Sequence, residues 1–228
     1  MFKGVIFDFD GTLVDSDWAY VLTDIEFFKA IGGDYYNQNH HDNVGLGVVS
    51  IIKNYMLELN ITDKSVDELV ELNDNIFLNI AQDEIQVYPE MLSFIKELYN
   101  LNIPMAIATG STQTIVEAVC HTTGLDIFID KLYSSRFMKN EKPQPDIFLY
   151  AAKNLGLEPT ECLVIEDSQA GVTAAIRAGM SVIWIDNFNN RNKTLQKQTF
   201  KYYSNGHKDF NTAQVLKYVT QCNKMKTM

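Results

Sequence analysis

The chain has 228 residues, 46% of them hydrophobic, and a formal net charge of −10. That length fits one large domain or a core domain with a smaller insert, and the apolar residues are numerous enough for a sizeable core. The acidic balance argues against nucleic acid and anionic membrane surfaces as partners, since both need a basic face.

Phe2 to Phe7 is a short apolar run that predicts a buried strand. A helical region follows, with no strand evident from residue 15 to 84. "DWAYVLTDIEFFKAIG" carries Trp18, Val21, Leu22, Ile25 and Phe28 at helical spacing and ends at Gly32 and Gly33. "GLGVVSIIKNYMLELN" and "SVDELVELNDNIFLNIAQ" are two further amphipathic helices, the second with Ser65 as N-cap. From Val87 the texture changes. A helix ("YPEMLSFIKELYNLN"), a strand ("IPMAIATG") and a helix ("STQTIVEAVCHTTGL") lead to the short strand "KLYSS". Then come the helix "PDIFLYAAKNLG", the strand "CLVIEDS", the helix "AGVTAAIRAG" and the strand "SVIWID". The polar tail adds a strand at Phe200 to Tyr203 and a helix from Thr212.

Alternating strands and helices predict an α/β fold with a doubly wound, mostly parallel sheet. An all-α insert interrupts it after the first strand. The expected division is an α/β core at residues 1–14 and 87–228 and a helical cap at 15–86. Neighbouring joints make a hinge, with the insert as a lid.

In such a sheet the site forms at the carboxyl ends of the strands. Here those ends are polar. The first strand closes on Asp8, with Asp10 two residues on. The second closes on Thr109, Gly110 and Ser111, and "CLVI" closes on Glu166 and Asp167. Lys142 stands in "EKPQPD" before a helix. Four converging carboxylates repel unless one is protonated or a cation intervenes. Oxygen ligands favour a hard divalent ion, Mg2+. With Lys142 and a threonine hydroxyl this makes a cradle for a phosphoryl group. Gly11 permits a sharp turn after Asp10.

These residues resemble the haloacid dehalogenase superfamily of phosphohydrolases, in the branch with a helical cap after the first motif. "DFDGT" is similar to the first motif, Thr109 to the second, "KPQPD" to the third and "EDSQAG" to the fourth. The motifs span Met1 to about Asp186, in order. The resemblance implies that Asp8 is the nucleophile, forming an aspartyl-phosphate, and that Asp10 is the general acid and then the base. It implies that Thr109 and Lys142 hold phosphoryl oxygens, with Gly110 and Ser111 beside them. Mg2+ would be held by the Asp8 side chain, the Asp10 backbone carbonyl and the Asp167 side chain, with Glu166 assisting. Relatives that displace halide lack the second aspartate, so Asp10 points to a phosphate ester.

The amino-terminal stretch is most similar to β-phosphoglucomutase and its hexose-phosphate phosphatase relatives. A mutase must hold a second phosphate with cationic groups. Ser50 stands where those mutases carry an arginine. Thr112 and Gln113 replace a Lys-Asn pair, and Tyr20 replaces a histidine. Simple hydrolysis is therefore preferred to the mutase reading. Asp15, Trp18, Tyr20 and the loop around Gly45 and Gly47 are candidates for facing substrate. Acidic and aromatic groups there suit a sugar or polyol bearing one phosphate. A phospho-accepting signalling receiver module is a third reading, disfavoured by Asp10 and by the insert.

Other features have plainer readings. His40 and His41 are adjacent in a loop, with no third ligand evident, and His121 and His207 are read as structural. Asp146 is read as an N-cap and Gly171 as a close helix–sheet contact. Ser111 is left between capping and phosphate binding. Cys120, Cys162 and Cys222 form no CxxC pair and fit free thiols in a reducing compartment. "MFKGVIFDFDG" is neither a signal peptide nor a membrane span, so a cytoplasmic location is expected. The expected partner is a small phosphorylated metabolite, with no nucleic acid or membrane, and the expected state is a monomer.

Overall fold

The computed structural model describes residues 2–35, 46–81, 83–189 and 192–220. His40, His41, Gly45 and Cys222 lie outside them.

The apolar run near the start forms strand β1 (Gly4–Phe7), buried throughout. The chain leaves the sheet through β2 (Val14–Asp15), makes helices α1 (Asp17–Ala30), α2 (Val48–Glu58) and α3 (Val66–Ala81), and returns through β3 (Gln86–Val87). β2 and β3 pair antiparallel, Val14 opposite Val87, so exit and return lie side by side. Two-residue strands have no periodicity to read. This ribbon exists because tertiary pairing brings distant segments together.

The remaining elements alternate. They are α4 (Pro89–Asn100), β4 (Met105–Thr109), α5 (Gln113–Thr123), β5 (Leu132–Ser134), α6 (Asp146–Leu155) and β6 (Cys162–Glu166), then α7 (Gln169–Arg177), β7 (Ser181–Ile185), the short α8 (Lys193–Gln196), β8 (Lys201–Tyr203) and α9 (Thr212–Thr220). Among the described residues the main sheet runs β5-β4-β1-β6-β7-β8, with every pairing parallel. This is the doubly wound α/β arrangement, and its order reverses beside β1.

Side chains on each strand alternate between two cores. Val5, Phe7, Ile107, Leu163 and Ile165 face α4, α5 and α9. Ile6, Ala106, Ala108, Val164 and Trp184 face α6 and α7. The helices between β2 and β3 hold a separate cluster, including Phe27, Phe28, Ile52, Tyr55 and Leu69. Each fully buried side chain of this size contributes about 1.5–3 kcal/mol, so the insert carries its own packing energy.

Ser65 caps α3 as expected. Its hydroxyl accepts from the Glu68 amide at 3.2 Å, while the Glu68 carboxylate accepts from the Ser65 amide at 2.7 Å. Asp146 does not cap α6. It is the first helical residue, and its Oδ1 accepts from the Asn140 amide at 3.2 Å and the Asn140 side-chain amide at 3.0 Å, tying down the loop that carries Lys142. No described helix is long and apolar enough to cross a membrane.

Candidate active site

Parallel pairing sets Phe7 opposite both Ile107 and Ile165. Asp8 therefore emerges beside Glu166, its amide donating to the Ile165 carbonyl at 2.9 Å. Lys142 crosses from the loop before α6 and donates to Asp8 Oδ1 at 2.5 Å and to Glu166 Oε1 at 2.8 Å. Glu166 Oε2 accepts from the Ser168 amide at 2.6 Å and the Ser168 hydroxyl at 3.0 Å. Asp167 Oδ1 accepts from Thr12 Oγ1 at 3.1 Å, and its carbonyl accepts from Trp184 Nε1 at 2.7 Å. Asp8, Lys142, Glu166 and Asp167 are all buried.

One oxygen from each of Asp8, Glu166 and Asp167 lies within 4.8 Å of the other two. Burial raises the Asp167 carboxyl well above the ordinary carboxylate range, and Glu166 and Asp8 add to it. Burial also raises Asp8, against the pull of Lys142. For Lys142 burial works the other way, but Asp8 and Glu166 outweigh it and keep the ammonium charged. One ammonium cannot neutralise this cluster. A buried, all-oxygen donor set in which burial raises both Asp8 and Asp167 fits a hard divalent cation.

Asp10 has different company. Its Oδ1 accepts from the Ser16 hydroxyl at 2.8 Å. Its Oδ2 accepts from the Ser111 hydroxyl at 2.5 Å and, more weakly, from Thr109 Oγ1 at 3.4 Å. Tyr20, on α1, places its hydroxyl 2.7 Å from Ser111 Oγ, so the insert reaches the Asp10 network directly. Burial raises the Asp10 carboxyl, and the three hydroxyls oppose that rise. Ser111 is thus not the cap of α5. Thr112 is, accepting from the Ile115 amide, while the Ser111 amide donates to Thr109 Oγ1 at 3.0 Å.

Gly11 turns the chain away at φ 69°, a left-handed conformation that other residues adopt reluctantly. Its carbonyl accepts from Asn187 Nδ2 at 2.7 Å and His207 Nε2 at 2.8 Å. His207 also stacks on Tyr88 at 3.5 Å, beside β3, and burial lowers its pKa, favouring the neutral ring. The tail therefore braces both the first-motif loop and the return from the insert.

These groups open on a cavity of about 370 Å3. Asp8, Asp10, Thr109, Gly110, Ser111, Lys142 and Asp167 line the sheet side, and Tyr20, Asp17, Asp24, Leu46, Val48 and Tyr55 line the insert side. Gly110 allows the insert to approach, because a Cβ there would sit 2.8 Å from the Leu46 carbonyl. Asp15, expected at the substrate, is instead an exposed residue of the β2–β3 ribbon, because strand alternation turns Val14 inward and Asp15 out. Trp18 is 38% exposed and donates to the Asp15 carbonyl. Gly47 sits behind the wall, between Leu46 and Val48, against Glu141 and Gly110.

Thr12, Ser16, Ser168 and Asn187 carry roles that sequence reasoning missed. The first three each lie within six residues of a named carboxylate, which is a usable signal. Asn187 has no such marker. His207 is structural as expected, though the sequence did not show what it braces. Gly171 makes the close helix–sheet contact expected of it: a Cβ there would collide with the Glu166 carboxylate at the end of β6, so the glycine also makes room for a site group. Gly171→Ala is expected to cost about 1–3 kcal/mol of stability, as overpacking does, and to lower activity with it. A denaturant melt beside an activity assay checks this.

Residues 2–179 match the haloacid dehalogenase-like hydrolase family, and the chain belongs to it. It is an enzyme, and several of its curated relatives are phosphatases by name. One is the fructose-1-phosphate phosphatase YqaB of Escherichia coli, 29% identical over 194 residues, covering 80% of this chain and 95% of that protein. Another is a probable pseudouridine-5'-phosphatase of Drosophila melanogaster, 30% identical over 186 residues, covering 79% and 80%. Among solved structures, CbbY from Rhodobacter sphaeroides, in complex with phosphate, superposes with a TM-score of 0.80 at 22% identity, over 92% of this chain and 96% of that one. That last likeness concerns the fold. Membership of a hydrolase family sets aside the receiver-module reading.

Proposed function

We propose that this protein is a Mg2+-dependent phosphomonoesterase that works through a phosphoryl group carried on Asp8, and that its substrate is a small sugar or polyol phosphate. The observation that carries this reading is the division between two aspartates two residues apart. Asp8 pairs with an ammonium inside an acidic cluster, and among the described residues the Asp10 carboxylate is hydrogen-bonded by hydroxyls. The first arrangement suits an anionic nucleophile, the second a group that gives and takes a proton.

Asp8 attacks phosphorus, the ester P–O bond breaks, and Asp10 gives its proton to the departing oxygen. Asp10, now ionised, takes a proton from water. The water oxygen displaces Asp8 from phosphorus, releasing inorganic phosphate and restoring both carboxyl groups. Lys142 and Thr109 hold phosphoryl oxygens, with Gly110 and Ser111 beside them. Glu166 holds Lys142, and Ser111 and Ser16 aim Asp10. The Asp8 and Asp167 side chains and the Asp10 carbonyl would hold the ion, with Glu166 behind them. When bound, the ion offsets the charge of Asp8 against an anionic phosphate.

Residues 15–86 are read as the cap and residues 1–14 and 87–228 as the core. The location proposed is the cytoplasm and the state a monomer, acting on a small metabolite without nucleic acid or membrane. Cys120 and Cys162, both buried and unpaired, agree with a reducing compartment. The names of the relatives support a small phosphorylated substrate. The hydroxyl-rich floor suits the polar part of such a substrate, while the insert wall mixes Asp17, Asp24 and Tyr20 with the aliphatic Leu46, Val48, Ile51 and Ile52.

A panel of phosphomonoesters with Mg2+ tests the reading. Turnover of sugar or polyol phosphates is expected. Turnover of nucleotides with none of any sugar phosphate overturns the substrate assignment. EDTA is expected to abolish activity and added Mg2+ to restore it, and full activity after exhaustive chelation rules out the ion's role.

A further inference from the structure

Glu141 is absorbed by none of the roles above. It precedes Lys142 but turns away from the sheet edge, towards the insert. Its Oε2 accepts from the Ser50 amide at 3.2 Å and from the Ser50 hydroxyl in a short contact. Its Oε1 is buried and has no hydrogen-bond partner among the described residues. The side chain packs so closely on Gly47 that a Cβ there would overlap the carboxylate.

This contact lies at the first turn of α2, where an 11-residue helix meets the cavity. Helix N-termini attract anions through free amides and the helix dipole. Here the core has taken that role. The Ser50 amide is bonded to Glu141, and the Val48 amide donates to the Gly110 carbonyl at 3.2 Å. Leu46 and Val48, on either side of Gly47, form the cavity wall. Among the described lining residues Lys142 is the one cation, and it is held between Asp8 and Glu166. Asp17 and Asp24 add acidic groups on the insert side.

We propose that Glu141 is a specificity-determining residue. By placing a carboxylate on the first turn of α2 it restricts the cavity to phosphate esters whose remaining body carries no second anionic group, and it excludes bisphosphates. The proposal rests on the phosphomonoesterase reading and narrows its substrate class. A second phosphate approaching the wall at Leu46 and Val48 would have the Glu141 carboxylate just behind that wall, where the Val48 and Ser50 amides are already taken, and like charges so juxtaposed are unfavourable.

The test compares fructose 1-phosphate with fructose 1,6-bisphosphate at fixed free Mg2+, for wild type, Glu141→Gln and Glu141→Ala. Wild type is expected to prefer the monophosphate by about a hundredfold in kcat/KM, the scale of an unfavourable charge contact. Glutamine keeps an acceptor for Ser50 and removes the charge. It is expected to narrow the preference by about tenfold, through a lower KM for the bisphosphate rather than a higher kcat. A wild type indifferent to the second phosphate overturns the proposal. So does an unchanged ratio in both variants. A ratio shifted by alanine but not glutamine also overturns it, since that marks Glu141 as a packing strut. Calorimetric binding of the same two compounds to Asp8→Asn and to Asp8→Asn/Glu141→Gln keeps the question separate from turnover. If wild type hydrolyses no phosphomonoester, the catalytic reading fails, while the binding ratio still reports on Glu141.

Discussion

Asp8→Asn is expected to reduce kcat by on the order of 10^4-fold or more, the scale seen when a nucleophile is removed from a preorganised site. An amide oxygen is a poor nucleophile towards phosphorus, and the substitution also removes a carboxylate from the proposed cation cluster. The fold should persist, because asparagine has the same shape and Lys142 keeps Glu166 at 2.8 Å. Circular dichroism and a thermal melt beside the assay separate lost chemistry from lost structure. A folded variant that retains most of its turnover removes Asp8 from the reaction.

Asp10→Asn is expected to lower kcat by at least about a hundredfold on esters with poor leaving groups, the usual contribution of general acid–base catalysis. With para-nitrophenyl phosphate, whose leaving group needs little protonation, the first step should survive better than the second. Rapid mixing should then show a burst of nitrophenolate up to the enzyme concentration, followed by slow turnover. The burst would report phosphoryl held on Asp8 while water waits for a base. Undiminished turnover of sugar phosphates by Asp10→Asn contradicts the proton-transfer role.

Both expectations depend on the unequal surroundings of the two carboxylates, and only part of that inequality was legible beforehand. The convergence of Asp8, Thr109, Glu166 and Asp167 followed from strand ends in a parallel sheet, because register places the carboxyl ends of β4, β1 and β6 side by side, and Lys142 reaches them from the loop before α6. The coupling of Asp10 to Tyr20 through Ser111 did not follow. It joins residues 91 positions apart across the joint between insert and sheet, and its geometry depends on how α1 sits over β4. The Glu141–Ser50 contact spans the same sequence distance for the same reason. Asp15 was misplaced because the ribbon that turns it outward is too short to leave a pattern.

The sequence alone determined the order of the main-sheet strands and of the longer helices, the helical character of the insert, and which acidic groups meet at the strand ends. Those features follow from apolar periodicity, and from parallel pairing that gives every strand the same direction. The tertiary structure alone decided which hydroxyls hold Asp10, that a tail histidine supports the Gly11 turn, and that a glutamate occupies the first turn of α2. Each of these depends on the distance between segments remote in the chain, and packing sets that distance.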